Sequence, residues 1–322
     1  MNRPGKFLIP LTLLISLLFS LTACKPAPSP SSSGVPEGTI TVSGAWALYP
    51  MMTRWAEEYQ KIYPLVQFDV SAGGAGKGMA DALGDIVDIG MVSRDVTPEE
   101  EQNGAYWIAV TKDAVLPMVN AHNPVIADLM KQGLTQELFM KVYITGEVKT
   151  WGELVGKPEI QDEIHIYTRS DAAGAPETWA KYLGSKQEDL LGIAVYGDPG
   201  LLEAVIKDPL GIGYNNLGYA FDATSGAPVT GALALPIDVN QNAMADPEEI
   251  LETKAEAIEM VALNKYPSPP ARPLNLVTHG KPTGLVAGFI EWILVDGQQY
   301  VGEAGYVSLT VDQLAASLEK IR

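Results

Sequence analysis

The chain has 322 residues, 47% of them apolar, with 39 acidic against 22 basic side chains and a formal net charge of −17. Such acidity argues against nucleic acid, or an anionic membrane surface, as the main partner. Length and apolar content suffice for a large core, expected as two lobes.

The first 23 residues read as an export signal. Arg3 and Lys6 precede an apolar run from Phe7 to Leu21 that is too short for a spanning helix. Leu21-Thr-Ala-Cys24 closes the run and resembles a bacterial lipobox, whose cysteine becomes the lipidated first residue of the mature protein. The alternative is an ordinary signal peptide with a stray cysteine. Cys24 is the single cysteine of the sequence, and a lone thiol in an exported protein otherwise needs an intermolecular partner. Removing Arg3 and Lys6 with the signal takes the formal charge from −17 to −19. The expectation is an exported body anchored by lipid to the outer face of the cytoplasmic membrane or in the periplasm. Residues 24–38 are the lipidated Cys24 followed by a Pro/Ser-rich tether with no core to offer.

The folded body is expected to begin at Thr39. Thr39 to Val42 reads as a strand, and Met51 to Tyr63 as a helix with Met52, Trp55, Ala56 and Tyr59 on one apolar face. Val66 to Val70 alternates as a second strand, and a Gly-dense turn, Ser71 to Ala80, leads into a helix. That turn lacks the Lys-Ser/Thr ending of a nucleotide-binding loop. Val87 to Gly90 is a third strand, and Thr97-Pro-Glu-Glu100 a helix start. Trp107 to Asn120 holds two apolar stretches around Lys112-Asp113, which places a crossing between lobes there. Leu134 to Tyr143 reads as a helix, Gly192 to Val195 and Ile212 to Tyr214 as strands, and Pro267 to Pro273 as a rigid extended connector. Leu274 to Thr278 is a strand, with helices over Thr283 to Asp296 and Val311 to Ile321. Strands alternating with helices imply an α/β fold with mostly parallel pairing.

Between these lies a strand, Ile164 to Thr168, a tight loop, Arg169 to Ala175, and a helix opened by Pro176. A turn of this kind aims free backbone N–H groups and the positive end of a helix dipole at one spot, an anion site in form. Arg169 at the strand end adds a planar fork of donors suited to an oxyanion. The plain alternative is an ordinary βα turn with a surface arginine.

The order of motifs resembles the phosphate-type periplasmic solute-binding proteins, the binding components of ABC importers. The carrying residues run from Gly44 through Pro50, Gly73-Gly-Ala-Gly76 and Asp88-Ile-Gly-Met-Val-Ser-Arg94 to Asn120-Ala-His-Asn-Pro124. Ile144 to Leu154, Thr168-Arg-Ser-Asp171, Gly211-Ile-Gly-Tyr214, Tyr266-Pro267, Lys281 to Leu285 and Ala304 to Val307 complete them. The resemblance implies two doubly wound α/β lobes joined by two crossing segments, with a ligand cleft between them that closes by hinge motion. Lobe 1 would comprise 39–112 and 270–322, and lobe 2 would comprise 113–269. It places the ligand against Ala47, Leu48 and Tyr49 in the first turn, Ala75 in the second, and Ser93 and Arg94 in the third. Arg169, Asp171, Ala173, Gly174 and Ala175 form the fourth. It also implies a small anionic ligand, an ABC transporter permease as partner, a monomer, and no catalytic residue.

The sequence departs from that family where hydroxyls are expected. The first turn reads Ala45-Trp-Ala-Leu48, Ala75 stands for Ser, and the fourth loop reads Arg169-Ser-Asp-Ala-Ala-Gly-Ala175. A lost charge-assisted hydrogen bond costs about 1.5–3 kcal/mol, so backbone N–H groups, Arg94 and Lys77 would have to compensate. Phosphate or a similar oxyanion, or a different solute such as an organic anion lying against Trp46, both remain open, as does a sensing role in place of transport. An enzyme finds little support, since His122, His165 and His279 have no partner motif.

A second site lies at Asp238-Val-Asn-Gln-Asn-Ala-Met-Ala-Asp-Pro-Glu-Glu249. Asp238, Asn240, Asn242, Met244 (through its carbonyl), Asp246 and Glu249 have the spacing of an EF-hand calcium loop, and a helix is expected from Pro247 to Leu263. Ala243 stands where that loop has Gly. No cofactor is required by the fold, and a structural Ca2+ is the one metal that the sequence points to. The alternative is an acidic loop capping a helix.

Overall fold

The computed structural model describes residues 35–322; the expected export signal, Cys24 and nearly all of the expected tether lie outside the described residues. Among the described residues nine strands form one sheet. They are β1 (Gly38–Gly44), β2 (Val66–Ala72), β3 (Ile89–Val92), β4 (Ala105–Asn120), β5 (His165–Arg169), β6 (Ile193–Val195), β7 (Gly211–Asn216), β8 (Ala232–Ala234) and β9 (Ala271–His279). Their order is β2-β1-β3-β9-β4-β7-β5-β6, with β8 paired to β4.

β4 organises the molecule. Its first part, Ala105 to Ala114, runs antiparallel to β9, and its second, Val115 to Val119, runs antiparallel to β7. The two apolar stretches around Lys112-Asp113 are therefore one continuous 16-residue strand serving two cores. The first core gathers Ile40, Met51, Trp55, Met79, Ile108 and Phe289. The second gathers Leu116, Phe139, Tyr143, Trp151, Trp179 and Tyr214. Both are rich in aromatic contacts, such as the stacked pairs Phe289–Trp292 and Trp179–Tyr214.

The mostly parallel pairing expected from the alternation of strands and helices is corrected here. β1–β2, β1–β3, β5–β6 and β5–β7 are parallel, but β3–β9, β4–β9, β4–β7 and β4–β8 are antiparallel. The cause is the double crossing. One strand carries the chain from the first core to the second, the other returns it, and the two pair with each other in opposite directions. Pro273 of the expected rigid connector lies inside β9, opposite Lys112.

Some boundaries also move. The helix expected over Leu134 to Tyr143 is α-helical only at Gln136–Met140, then widens to a π turn at Lys141–Thr145. The helix after Arg169 starts at Gly174, two residues before Pro176, because a proline in the first turn displaces no intrahelical bond. The helix expected from Pro247 begins only at Lys254, where Thr253 and Glu256 close a reciprocal cap that fixes its start.

Candidate functional site: an anion-type cleft between two cores

Four loops leave the sheet at the junction of the two cores. The first follows β1, where Gly44 (φ +129°) lies so close to β3 that a Cβ would stand 2.3 Å from the Met91 carbonyl oxygen. It leads through Ala45 to Leu48 into the helix Tyr49–Ile62. The second, Gly73-Gly74, donates both N–H groups to the Gly44 carbonyl, at 2.9 and 3.1 Å, and opens the helix Ala75–Leu83. The third is Ser93-Arg94 after β3. The fourth follows β5 and opens the helix Gly174–Tyr182.

These loops meet. Gly76 N–H donates to the Ala172 carbonyl at 3.0 Å across the junction. A Cβ on Gly74 would lie 2.8 Å from that same oxygen, and one on Gly174 would lie 2.2 Å from Ser93 Oγ. Trp46 reaches the far side, edge-on to Tyr196 with ring centroids 6.1 Å apart, and Tyr219 donates to its carbonyl at 3.4 Å. Trp46 is thus neither wholly core nor open wall; it packs across the seam.

The helices differ in how their first turns are capped. Thr97, Thr135, Thr150, Thr253 and Thr310 each cap a helix through the hydroxyl. The helices Tyr49–Ile62, Ala75–Leu83, Gly174–Tyr182 and Gly197–Lys207, which begin at the junction, have no side-chain cap. The helices Ile126–Gln132, Leu217–Ala220, Gln299–Glu303 and Gly284–Leu294 also lack a side-chain cap, the last of them near Gly38 at the opposite end of β1. First-turn N–H groups lack intrahelical partners and carry the positive end of the helix dipole. Their clustering at one point is an electrostatic arrangement for negative charge.

Arg169 is the central cation, 4% exposed. Its Nε donates to Asp171 Oδ1 at 2.7 Å, Nη2 donates to Asp171 Oδ2, and Nη1 donates to Asp198 Oδ1. Three of its five N–H groups are therefore committed, leaving two. Burial opposes its charge, yet Asp198 and Asp171 more than offset this and hold its pKa above the ordinary arginine value. Burial pushes the Asp198 carboxyl up, against the attraction of Arg169 and Arg272. Asp198 Oδ2 accepts from Asn216 Nδ2 at 2.6 Å, its carbonyl accepts from Asn215 Nδ2 at 2.8 Å, and Asn216 Oδ1 accepts from Arg272. Asn215 and Asn216 are thus buried clamps on Asp198.

Of the residues expected at the ligand, Ala47, Leu48, Ala75, Ser93, Ala173, Gly174 and Ala175 are buried at this junction, with Tyr49 and Asp171 partly exposed. Arg94 is placed differently. Its guanidinium grips both carboxylate oxygens of Glu100 (2.9 and 2.6 Å), and its Nε forms an ion pair with Glu177 at 3.1 Å. Glu177 belongs to the second core's helix, so Arg94 ties the cores together at the cleft mouth, where the exposed pair Asp95–Lys181 does the same. Lys77 pairs with Asp81 on its own helix. A cavity of about 470 Å³ at this mouth is lined by Gly76, Arg94, Ala172, Lys181 and Lys186, among others. Asp113, Asp198 and Arg272 escaped the sequence reading. Their signal was a charged residue within an apolar or extended crossing segment, or in the first turn of a helix.

The calcium-type loop keeps its oxygens on itself. Asp238 accepts from the N–H groups of Asn242 (3.1 Å) and Ala243 (2.9 Å), and Glu249 accepts from those of Val239 (2.7 Å) and Asp246 (3.1 Å). Asp246 Oδ2 accepts from the side-chain amides of Asn240 and Asn242. Ala243 takes φ +57°, the left-handed backbone this position needs even without Gly. Met244 is exposed, and no group of three or more His, Cys, Asp or Glu among the described residues gathers as a metal set. The helix expected from Pro247 starts only at Lys254, beyond the loop.

A sheet crossed twice by the chain, with uncapped helix ends facing each other across the junction, defines a two-lobed α/β solute-binding protein of the type II periplasmic-binding architecture. The chain belongs to the PBP superfamily: the family model PBP_like_2, described as a PBP superfamily domain, matches residues 29–296. It is 28% identical to the phosphate-binding protein PstS of Bacillus subtilis (strain 168) over 314 residues, 94% of each chain. It is 26% identical to the phosphate-binding protein PstS of Pseudomonas aeruginosa PAO1, over 86% of this chain and 85% of that one. The same fold occurs in a Clostridium perfringens protein solved with bound phosphate, with a TM-score of 0.69 at 24% identity, covering 85% of this chain and all of that one.

Proposed function

We propose that this protein is the extracytoplasmic binding component of an ABC importer, closing its two lobes around phosphate or a close oxyanion and delivering it to a permease. The observation that carries the reading is that four helices with uncapped N-termini begin at the junction where Arg169 is buried. The names of the relatives in Bacillus subtilis and Pseudomonas aeruginosa agree with it. Ligand oxygens would be held by first-turn N–H groups and by the two uncommitted N–H groups of Arg169. Backbone donors survive substitution of Ser by Ala, so the loss of hydroxyls at Ala75, Ala173 and Ala175 weakens the cradle without abolishing it. The lipobox ending in Cys24 and the tether after it support a lipid-anchored protein held beside its permease.

A larger organic anion is the second reading. It is favoured by Trp46, whose buried indole N–H has no partner beside an apolar first turn. Native mass spectrometry before and after unfolding, followed by calorimetric titration with inorganic phosphate, separates the two. One phosphate per chain supports the first reading. A co-purifying organic acid, with no heat from phosphate, refutes it.

A further inference from the structure

The two crossing strands carry a buried pair that none of the four loops contains. Asp113 on β4 and Arg272 on β9 are direct register partners, 2% and 6% exposed, with Asp113 Oδ2 and Arg272 Nη2 4.0 Å apart. Arg272 then reaches into the cleft. Its Nη1 donates to the Gly174 carbonyl at 2.8 Å, and its Nη2 donates to Asn216 Oδ1, the residue whose amide holds Asp198 against Arg169. One guanidinium thus joins the hinge, the fourth loop and the carboxylate partner of the central cation. The pair is also incompletely satisfied: Asp113 Oδ2 and Arg272 Nε are buried without a hydrogen-bond partner. A carboxylate left in that state is costly, and adding a proton removes the cost.

We infer that Arg272, braced by Asp113, is a positioning residue coupling lobe closure to the anion loop, and that closure places a solvent proton on Asp113. The inference rests on the proposed function for its ligand, not for its geometry. Groups facing Asp113 come from several elements: Arg272 from β9, Asp198 from the helix Gly197–Lys207, and Lys254 from the helix Lys254–Ala262. The phenols of Tyr219, Tyr266 and Tyr306 complete the surroundings. Arg272 and the N–H groups of Ala114 and Leu217 favour the carboxylate, while burial and Asp198 oppose it; burial dominates, and Asp113 is pushed up to about 7. In an opened cleft, water reaches the seam and the group returns toward the ordinary carboxylate value of about 4. Because the closed-state value is the raised one, closure is favoured at acid pH. That advantage fades as pH rises through about 7, by up to about tenfold per unit.

The test compares the affinity of the wild type and Asp113→Asn for inorganic phosphate between about pH 5 and pH 8.5. Phosphate's own ionisation cancels in the ratio. The wild type should weaken relative to the variant by more than about tenfold across this range, with the change flattening above neutrality. A ratio independent of pH overturns the inference. If neither protein binds phosphate, the phosphate reading fails by itself, and X-ray scattering of the unliganded wild type decides this one, which also covers a variant that does not fold. A radius of gyration that falls on acidification supports proton-linked closure, and a constant radius refutes it.

Discussion

Replacing Arg169 by Met removes the cation but keeps much of the apolar stem. It leaves Asp171 and Asp198 unpaired, their side chains 9% and 2% exposed. Removing one partner of a buried ion pair costs about 3–5 kcal/mol, a large share of the roughly 5–15 kcal/mol that stabilises a folded domain. At about 1.5–2 °C per kcal/mol for a body of more than about 250 residues, Tm should fall by roughly 5–10 °C at neutral pH. The pH dependence has a definite sign. Burial already raises the Asp198 carboxyl, and loss of Arg169 raises it further. A carboxyl with a raised folded-state pKa stabilises fully only at acid pH, and that contribution is lost as pH rises through the folded value. The deficit of Arg169→Met should therefore be smaller at about pH 5 than at about pH 7.5. Adding Asp198→Asn should recover part of the loss, with a coupling of about 0.5–3 kcal/mol in a double-mutant cycle. Thermal and urea unfolding at both pH values measure all three terms. A neutral-pH loss below about 1 kcal/mol, or additivity of the two substitutions, would show that the guanidinium does not hold these carboxylates.

Gly174→Ala tests the seam itself. Its Cβ would stand 2.2 Å from both the carbonyl oxygen and the Oγ of Ser93, so the lobes cannot close fully, and phosphate affinity should drop by at least about tenfold while Tm stays within a few degrees. Unchanged affinity would mean that Ser93 and Gly174 do not meet in the bound state. For the loop Asp238 to Glu249, calorimetry on chelator-stripped protein should give one calcium per chain if its spacing is functional. No heat at about millimolar calcium, the weak end of such loops, leaves it as a self-bonded turn.

The parts of this protein visible in the sequence are those set by local patterns. The period of Met52, Trp55, Ala56 and Tyr59 placed a helix, the Gly-rich turns placed loops, and the strand-loop-helix at Arg169 placed an anion-type turn. The parts that stayed hidden depend on partners far apart in the chain. Asp198 meets Arg169 across 29 positions, and Arg272 reaches Gly174 across 98. No local pattern encodes either contact. Arg94 shows the reverse error. Its place in a ligand-type loop was legible, but its pairing with Glu177 depends on how the second core packs against the first. The late start of the Lys254–Ala262 helix was available in principle, since Thr253 and Glu256 have capping-box spacing.

Charge arithmetic then limits how this cleft can hold an anion. The chain is acidic overall, with a net charge of −17, and its buried cations bring their own carboxylates, Asp171 and Asp198 on Arg169 and Asp113 beside Arg272. Neither a general field nor a free cationic patch draws the ligand in. On the proposed reading, attraction comes from donors that are fixed in direction and short in range, namely the first-turn N–H groups of helices that begin on opposite sides of the seam and the two uncommitted N–H groups of Arg169. On that reading, what fixes the seam, Gly174 against Ser93 and Arg272 against the Gly174 carbonyl, governs affinity as strongly as any atom that touches the ligand.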